Sequence, residues 1–273
     1  QGRRVLCLLS GGFDSPVAAW LCMKRGLRVD FISFYSFPFV GPQTREKILR
    51  LAEKLTEWQP QSVLHVVPFS AYQEAIRDHC DERYRTILYR RAMQRIASVV
   101  ARTRKGKALV TGESIGQVAS QTLENMRLIE EASRLPVLRP VLTYDKTEII
   151  ALAREIGTHD LSNLPAPDCC TVFQPAQPII HGQLSEVEEA EAQIASARAT
   201  LAQARREAQA LHRLAQRSNA ATQNAASALA LAEAGADVLA FDYRGFGASQ
   251  GLPRQSLSVR RQIAAYHAAA DAA

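Results

Sequence analysis

An α/β fold built on a doubly wound, mostly parallel sheet is the architecture this sequence predicts, and three observations predict it. Apolar runs of strand length alternate with amphipathic runs of helix length through the first half of the chain. Two of the strand-to-helix turns are made of glycine and short polar residues, S-G-G-F-D-S at 10–15 and G-E-S-I-G-Q at 112–117. In open parallel sheets such turns lie beyond the carboxyl ends of the strands, where ligands bind. The chain has 273 residues, enough for one large α/β domain and an appendage.

The first element is the apolar run Val5-Leu6-Cys7-Leu8-Leu9, which reads as a buried parallel strand. It leads through Ser10–Ser15 into Pro16-Val17-Ala18-Ala19-Trp20-Leu21, an apolar helical stretch in which Pro16 suits the first turn. Gly11 and Gly12 let the backbone turn sharply and approach a ligand, and the helix start offers unpaired N–H groups and a positive dipole end. Ser10 and Ser15 add hydroxyl donors, and Asp14 adds one carboxylate able to hold Mg²⁺ against a phosphate. The hexapeptide therefore suits a phosphate chain, with a plain tight turn as the alternative. A Walker A loop needs G-x-x-x-x-G-K-[ST], and no lysine lies between Gly11 and Met23, which disfavours kinase-like γ-phosphate chemistry.

A second strand is expected over Arg28–Phe34, a helix over Gln43–Glu57, and a third strand over Ser62–Val67. Helical stretches follow from Tyr72 to His79 and from Tyr84 to Arg102, then a fourth strand at Ala108–Thr111 and a helix at Gln121–Arg134. Beyond strand two, Tyr35-Ser36-Phe37-Pro38-Phe39 is placed to wall an adenine ring, with core packing the alternative. Beyond strand four, the run from Gly112 to Thr122 reads as a second ligand-facing turn.

Bulk properties narrow the class. The formal net charge is +6, and the basic residues concentrate between Arg83 and Lys107, which favours a polyanionic partner. No run reaches transmembrane length and no secretory pattern opens the chain, so no membrane role is expected. Five unevenly placed cysteines do not form a secreted disulfide framework, and a reducing cytoplasm fits better.

The S-G-G-F-D-S stretch resembles the pyrophosphate loop (PP-loop) of the ATP pyrophosphatases, which have the adenine nucleotide alpha hydrolase-like fold and cut ATP between the α- and β-phosphates. A sharper likeness rests on T-G-E-S-I-G-Q-V-A-S-Q-T at 111–122. Further matching stretches are S-G-G-F-D-S-P-V-A at 10–18, F-Y-S-F-P-F at 34–39, L-Y-R-R-A-M-Q-R-I-A at 88–97, R-P-V-L-T-Y-D-K-T-E-I-I at 139–150 and D-C-C-T-V-F-Q-P at 168–175. Together these resemble the catalytic domain of the tRNA 4-thiouridine synthase family (tRNA sulfurtransferase, ThiI), over roughly residues 3–180. That family also links to thiamine biosynthesis.

The resemblance implies ATP and Mg²⁺ as cofactors, with Ser10, Gly11, Gly12, Phe13, Ser15, Phe34, Tyr35, Ser36, Gly112 and Gln121 binding the nucleotide and Asp14 assisting the metal and the catalysis. It aligns Cys170 with the family's persulfide-bearing catalytic cysteine, beside Cys169 as a resolving thiol. Vicinal cysteines in a proline-rich loop (Pro165, Pro167, Pro175, Pro178) read independently as exposed and reactive, a metal half-site or an inert pair being the alternatives. Cys7 and Cys22 read as core. The implied reaction adenylates a tRNA uridine at O4 and replaces that oxygen with sulfur from Cys170, itself charged by a cysteine desulfurase. Arg90, Arg91 and Arg95, with Arg83 and Arg85, form a basic helical stretch suited to tRNA phosphates or to a solvated face. Lys146 either faces the phosphates or opens a solvated helix, and the second is expected. Alternatives for the whole are another PP-loop ATP pyrophosphatase acting on a different nucleotide or small molecule, and a non-catalytic nucleotide-binding scaffold. Full-length members of the family carry ferredoxin-like and THUMP parts, and some a rhodanese domain. None of these is in the chain, so if it is complete, tRNA positioning comes from elsewhere.

Three segments are expected: a PP-loop domain at 1–182, an Ala-rich helical segment at 183–235 and a tail at 236–273. Val187, Ala190, Ile194, Ala197, Leu201, Ala204, Ala208 and Leu211 keep the spacing of a narrow heptad seam, suited to a homo-oligomer arm, a hairpin, or a helix packed on its own domain. The tail weakly resembles an α/β-hydrolase strand and turn. Its Gly247-Ala248-Ser249-Gln250-Gly251 satisfies G-x-S-x-G only formally, because Leu252-Pro253 follows instead of an apolar helix.

Overall fold

The computed structural model describes residues 3–197 together with Ala199 and Gln203. Its sheet contains β1 (Arg4–Leu8), β2 (Arg28–Tyr35), β3 (Leu64–Pro68), β4 (Leu109–Val110) and β5 (Val137–Leu138). They lie in the order β3-β2-β1-β4-β5 and every pairing is parallel, with Val5 opposite Val29 and Cys7 opposite Val110. The connections are α1 (Asp14–Lys24), α2 (Pro42–Leu55), α3 (Ser70–His79), α4 (Arg85–Thr103), α5 (Leu123–Glu131), α6 (Lys146–Glu155) and the short α7 (His159–Ser162). A further helix, α8, runs over residues 184–197.

Side-chain alternation along β1 divides the core into two layers. Val5 and Cys7 face Val17 and Trp20 of α1, Leu51 of α2 and Ile149 of α6. Leu6 faces the other way, onto Ile87, Tyr89 and Ile96 of α4 and Ile129 of α5. Helices therefore cover both faces of a fully parallel sheet, as the near-continuous apolar strands require.

β1 hands the chain to β2 on one side, while β4 lies on its other side. The crevice of a doubly wound sheet opens at such a switch point, beyond the carboxyl ends of β1 and β4. Ser10–Ser15 and Gly112 sit at these two ends, so the fold alone brings the two glycine-containing turns together.

β5 was not expected from the sequence. It is two residues long, it is enclosed by Pro136 and Pro140, and it carries no alternation to read. α8 answers part of the heptad question: Val187 and Ile194 are buried in the α4–α5 layer and Ala190 packs on it. This stretch of the seam packs on its own domain. Leu201, Ala204, Ala208, Leu211 and the 236–273 tail lie outside the described residues. Among the described residues no helix is long and apolar enough to cross a membrane.

Candidate active site

A cleft of about 470 Å³ opens at the switch point, lined by Ser10, Gly11, Gly12, Asp14 and Ser15 from the first turn and by Gly112, Glu113 and Gln121 from the second. Phe34, Arg90, Gln94, Lys47 and Cys169 complete its walls. The Ser10 amide donates to Ser15 Oγ at 2.9 Å, and the two hydroxyls are 3.1 Å apart, which closes the loop on itself. α1 begins at Asp14 with no side-chain cap. Its first N–H groups are therefore left for a ligand rather than for a capping side chain, and the positive end of its dipole opens on the cleft.

Glycine at position 112 is required by close approach. A Cβ there would stand 2.4 Å from the Ser15 nitrogen and 2.7 Å from the Asp14 carbonyl carbon, so any side chain would push β4 off the start of α1.

Asp14 is not alone. The Lys146 ammonium lies 3.1 and 3.0 Å from its two carboxylate oxygens. Lys146 is the first residue of α6, whose start is fixed by a capping box between Asp145 and Glu148. The solvated helix start expected at Lys146 is thus corrected: the side chain is half exposed, yet it reaches 132 residues back to the Ser10–Ser15 turn. Phe13 does not line the cleft but packs on His159, with the Lys146 ammonium 5.5 Å over its ring.

None of the Tyr35–Phe39 stretch lines the cleft, whereas Phe34, within β2, does. β2 runs through Tyr35, so alternation turns Tyr35 to the opposite face, where it stacks with Phe37. Ser36 is fully buried and its carbonyl accepts from the Val40 amide. Phe34 is steadied edge-on by Phe69.

The basic helix divides in the same way. Arg90 lines the cleft and donates to Glu113 at 3.0 Å. Arg91 is 1% exposed and is spent on Glu191, Glu131 and the Leu128 carbonyl, which removes it from any RNA surface. Arg95 is half exposed but pairs with the same Glu191 at 2.6 Å. Burial alone would lower the Arg91 guanidinium, and its hydrogen bonds and charge attraction to Glu191 and Glu131 reverse this, leaving it above its ordinary value.

Glu113 was missed by sequence reasoning although it lies inside the T-G-E stretch. It is buried and gathers Thr111 Oγ1 at 2.9 Å, Arg90 at 3.0 Å and Arg139 at 2.8 Å. Lys47, Thr44 and Ser162 were missed as well, because a helix lysine spaced like a surface residue gives no sequence signal. Gln94 and Gln121 present buried Oε1 atoms without a hydrogen-bond partner, and both residues line the cleft.

The cysteine loop closes one side of the cleft. Cys169 is 4% exposed, correcting the expectation of an exposed thiol; the chain folds back so that α3 covers it, and Gln73 donates to its carbonyl at 2.8 Å. The Cys170 backbone belongs to the same short 3-10 turn, Cys169–Thr171, and its side chain lies outside what is described. The other three thiols fit an inert role. Burial drives Cys7 well above its ordinary value and raises Cys22 and Cys80 to about 11. Among the described residues no group of three or more His, Cys, Asp or Glu side chains is arranged to hold a metal.

Known proteins resemble this chain in sequence and in fold. A probable tRNA sulfurtransferase of Brevibacillus brevis is 50% identical over 176 residues, covering 64% of this chain and 44% of that protein. One from Halothermothrix orenii is 47% identical over 186 residues, covering 68% of this chain and 47% of its own length. The chain thus spans about half the length of the curated relatives it matches. The crystal structure of a 4-thiouridine synthetase–RNA complex with bound ATP superimposes with a TM-score of 0.67 at 40% identity, covering 70% of this chain and 50% of that one. The family model described as Thiamine biosynthesis protein (ThiI) matches residues 1–195, well over half of the sequence, and the chain belongs to the ThiI family.

Proposed function

We propose that this chain carries the catalytic centre of an ATP-dependent tRNA sulfurtransferase that makes 4-thiouridine. The observation that carries the proposal is the composition of one cleft, where an uncapped helix start behind a Gly-Gly turn faces the turn that bears Cys169 and Cys170. The relatives named tRNA sulfurtransferase and the synthetase–RNA complex with bound ATP support it.

The residues fit an adenine nucleotide. The buried, unpartnered Oε1 atoms of Gln94 and Gln121 want donors such as an exocyclic amine or a ribose hydroxyl. Phe34 offers an apolar wall, and the Ser10–Ser15 loop offers hydroxyls and amides to phosphate oxygens. Mg²⁺ would have Asp14 as the carboxylate of the Ser10–Ser15 loop, with phosphate oxygens and water completing the shell, an arrangement ordinary for that ion.

When bound, ATP would supply the adenylate that turns uridine O4 into a leaving group. O4 bonds to the α-phosphorus as pyrophosphate departs, and the loop amides and the Lys146 ammonium stabilise the charge that builds there. The outer sulfur of a Cys170 persulfide then bonds to C4, and AMP leaves with the oxygen and the electron pair of the C4–O bond. The Cys169 thiolate takes the inner sulfur, forming a Cys169–Cys170 disulfide and releasing the thiouridine, and an external thiol reductant resets the pair. Arg90 would contact the nucleotide or the tRNA, and a cysteine desulfurase would load the persulfide.

Nucleoside mass spectrometry of unmodified tRNA incubated with the chain, ATP, Mg²⁺ and a cysteine desulfurase with cysteine tests this. Thiouridine is expected from the native sequence and none from Asp14→Ala or Cys170→Ser. AMP release that persists in Cys170→Ser without thiouridine would separate the two half-reactions. Thiouridine formed at the native rate by Cys170→Ser would sink the assigned sulfur route.

A further inference from the structure

The cysteine-bearing segment is tied to the rest of the cleft by a small set of side-chain donors, and one of them is unusual. Lys47, in the second turn of α2, is only 7% exposed and donates to the Ser162 carbonyl at 2.8 Å and the Leu164 carbonyl at 2.7 Å. One turn earlier on the same helix face, Thr44 donates to the Pro167 carbonyl at 2.9 Å. Ser162 in turn donates to the Gly12 carbonyl at 3.1 Å. The Lys47 stem lies against the phosphate loop itself, since a Cβ on Gly11 would meet its Cε at 3.3 Å and its Nζ at 3.5 Å.

We infer that Lys47 is a positioning residue that docks the segment 162–169, and with it the cysteine turn, onto the phosphate loop, so that sulfur delivery stays coupled to nucleotide activation. This rests on the sulfurtransferase reading above. Burying an ammonium is costly unless its hydrogen bonds are met, and an apolar side chain of the same length would fill the space at lower cost. What an apolar side chain cannot do is hold two carbonyls of one loop while lying against a glycine of another. Burial lowers the Lys47 ammonium from its ordinary value, with the Asp168 carboxylate opposing. The Gly11 contact also gives that glycine a second duty, because any side chain there would press on the lysine.

The test uses the chain as it stands, with Lys47→Met, Lys47→Arg and Thr44→Val. Thiol alkylation of the native fold, mapped by mass spectrometry, reads docking without any turnover. In Lys47→Met, Cys169 is expected to label about tenfold faster while Cys7 and Cys22 stay protected, as in local opening of one segment. Lys47→Arg, which keeps the donors, should stay within about threefold of the native rate. In turnover, Lys47→Met should make about tenfold less thiouridine per AMP with the KM for ATP within about threefold, since a small misplacement of the sulfur costs at least that much.

Unchanged Cys169 protection in Lys47→Met would overturn the inference. So would a tenfold rise in the KM for ATP with thiouridine per AMP preserved, which would make Lys47 a phosphate ligand instead. If Lys47→Met also exposes Cys7, the fold itself has opened, and Thr44→Val decides: selective Cys169 labelling supports docking and native protection overturns it. If the native chain yields neither AMP nor thiouridine, the sulfurtransferase reading fails while the labelling result still decides the docking.

Discussion

The Lys146 ammonium bridges both carboxylate oxygens of Asp14, at 3.1 and 3.0 Å, and so joins the starts of α6 and α1 at the mouth of the cleft. The pair is half exposed on the lysine side, and such pairs contribute less than about 1 kcal/mol to folding. Stability does not explain it. A point charge beside an anion cradle does, because an ammonium on a flexible stem can leave a carboxylate for a phosphate oxygen when one arrives. Lys146→Met is therefore expected to lower AMP formation by about 10²-fold, the usual cost of one lost electrostatic donor, with a small change in Tm. Kinetics of AMP release check it, and an unchanged kcat would leave Lys146 as a mere screen for Asp14.

Gly112→Ala tests the contact between β4 and α1. The added methyl would meet backbone atoms of Asp14 and Ser15 inside 3.0 Å, and backbone cannot swing aside as a long side chain can. Overpacking of this kind costs about 1–3 kcal/mol. The phosphate loop should shift with it, so nucleotide affinity falls beyond what the lost stability explains. Thermal unfolding with and without ATP measures both, and a variant whose Tm rises with ATP as much as the native chain's would contradict it.

The sequence carried the frame of this site better than its walls. The strand-turn-helix at Ser10–Ser15 was legible because glycine spacing, a terminal proline and an apolar strand all pointed one way. Gly112 and Gln121 were legible from the second polar turn. Phe13, Tyr35 and Ser36 lie outside the cleft lining, and a pattern of neighbours says nothing about which face of a strand end meets the cleft. Arg91 and Arg95 were assigned to RNA because charge on a helix reads as surface, and their partner Glu191 lies 96 or more residues away, beyond any local pattern. Lys47 and Glu113 were invisible for the same reason: each is buried by contacts that only the folded chain creates. β5 escaped because two residues are too few for a period.

Glu113→Gln probes the carboxylate that gathers the cleft's cations. Arg90 is partly exposed at the cleft wall, and Arg139 is half-buried and shared with Glu130. Burial alone would lower the Arg139 guanidinium, but Glu113 and Glu130 together raise it above its ordinary value. Removing the Glu113 charge leaves two guanidiniums facing each other across a neutral amide. A loss of about 3 kcal/mol is expected from breaking a buried ion pair. Arg90 should also lose its fixed direction, so the KM for ATP rises in the Glu113→Gln variant more than kcat falls. Comparable falls in kcat and kcat/KM would instead place the carboxylate in the transition state.

Glu191 links α8 to the basic helix and sets an acid limit on the fold. Burial raises its carboxyl, but hydrogen bonds from Arg91 and Arg95 outweigh that and leave it below its ordinary 4.5. A carboxyl lower in the folded than in the unfolded chain binds fewer protons when folded, so its contribution is present above about 4.5 and fades as pH falls through the folded value. Glu191→Gln should therefore cost about 2–3 kcal/mol near neutral pH, toward the low end of buried pairs because Glu131 still reaches Arg91. The gap between native and variant Tm should narrow steadily in acid below the ordinary carboxyl range. A gap that holds constant across that window would mean that packing of α8 through Val187 and Ile194, rather than the ion pair, fastens the helix.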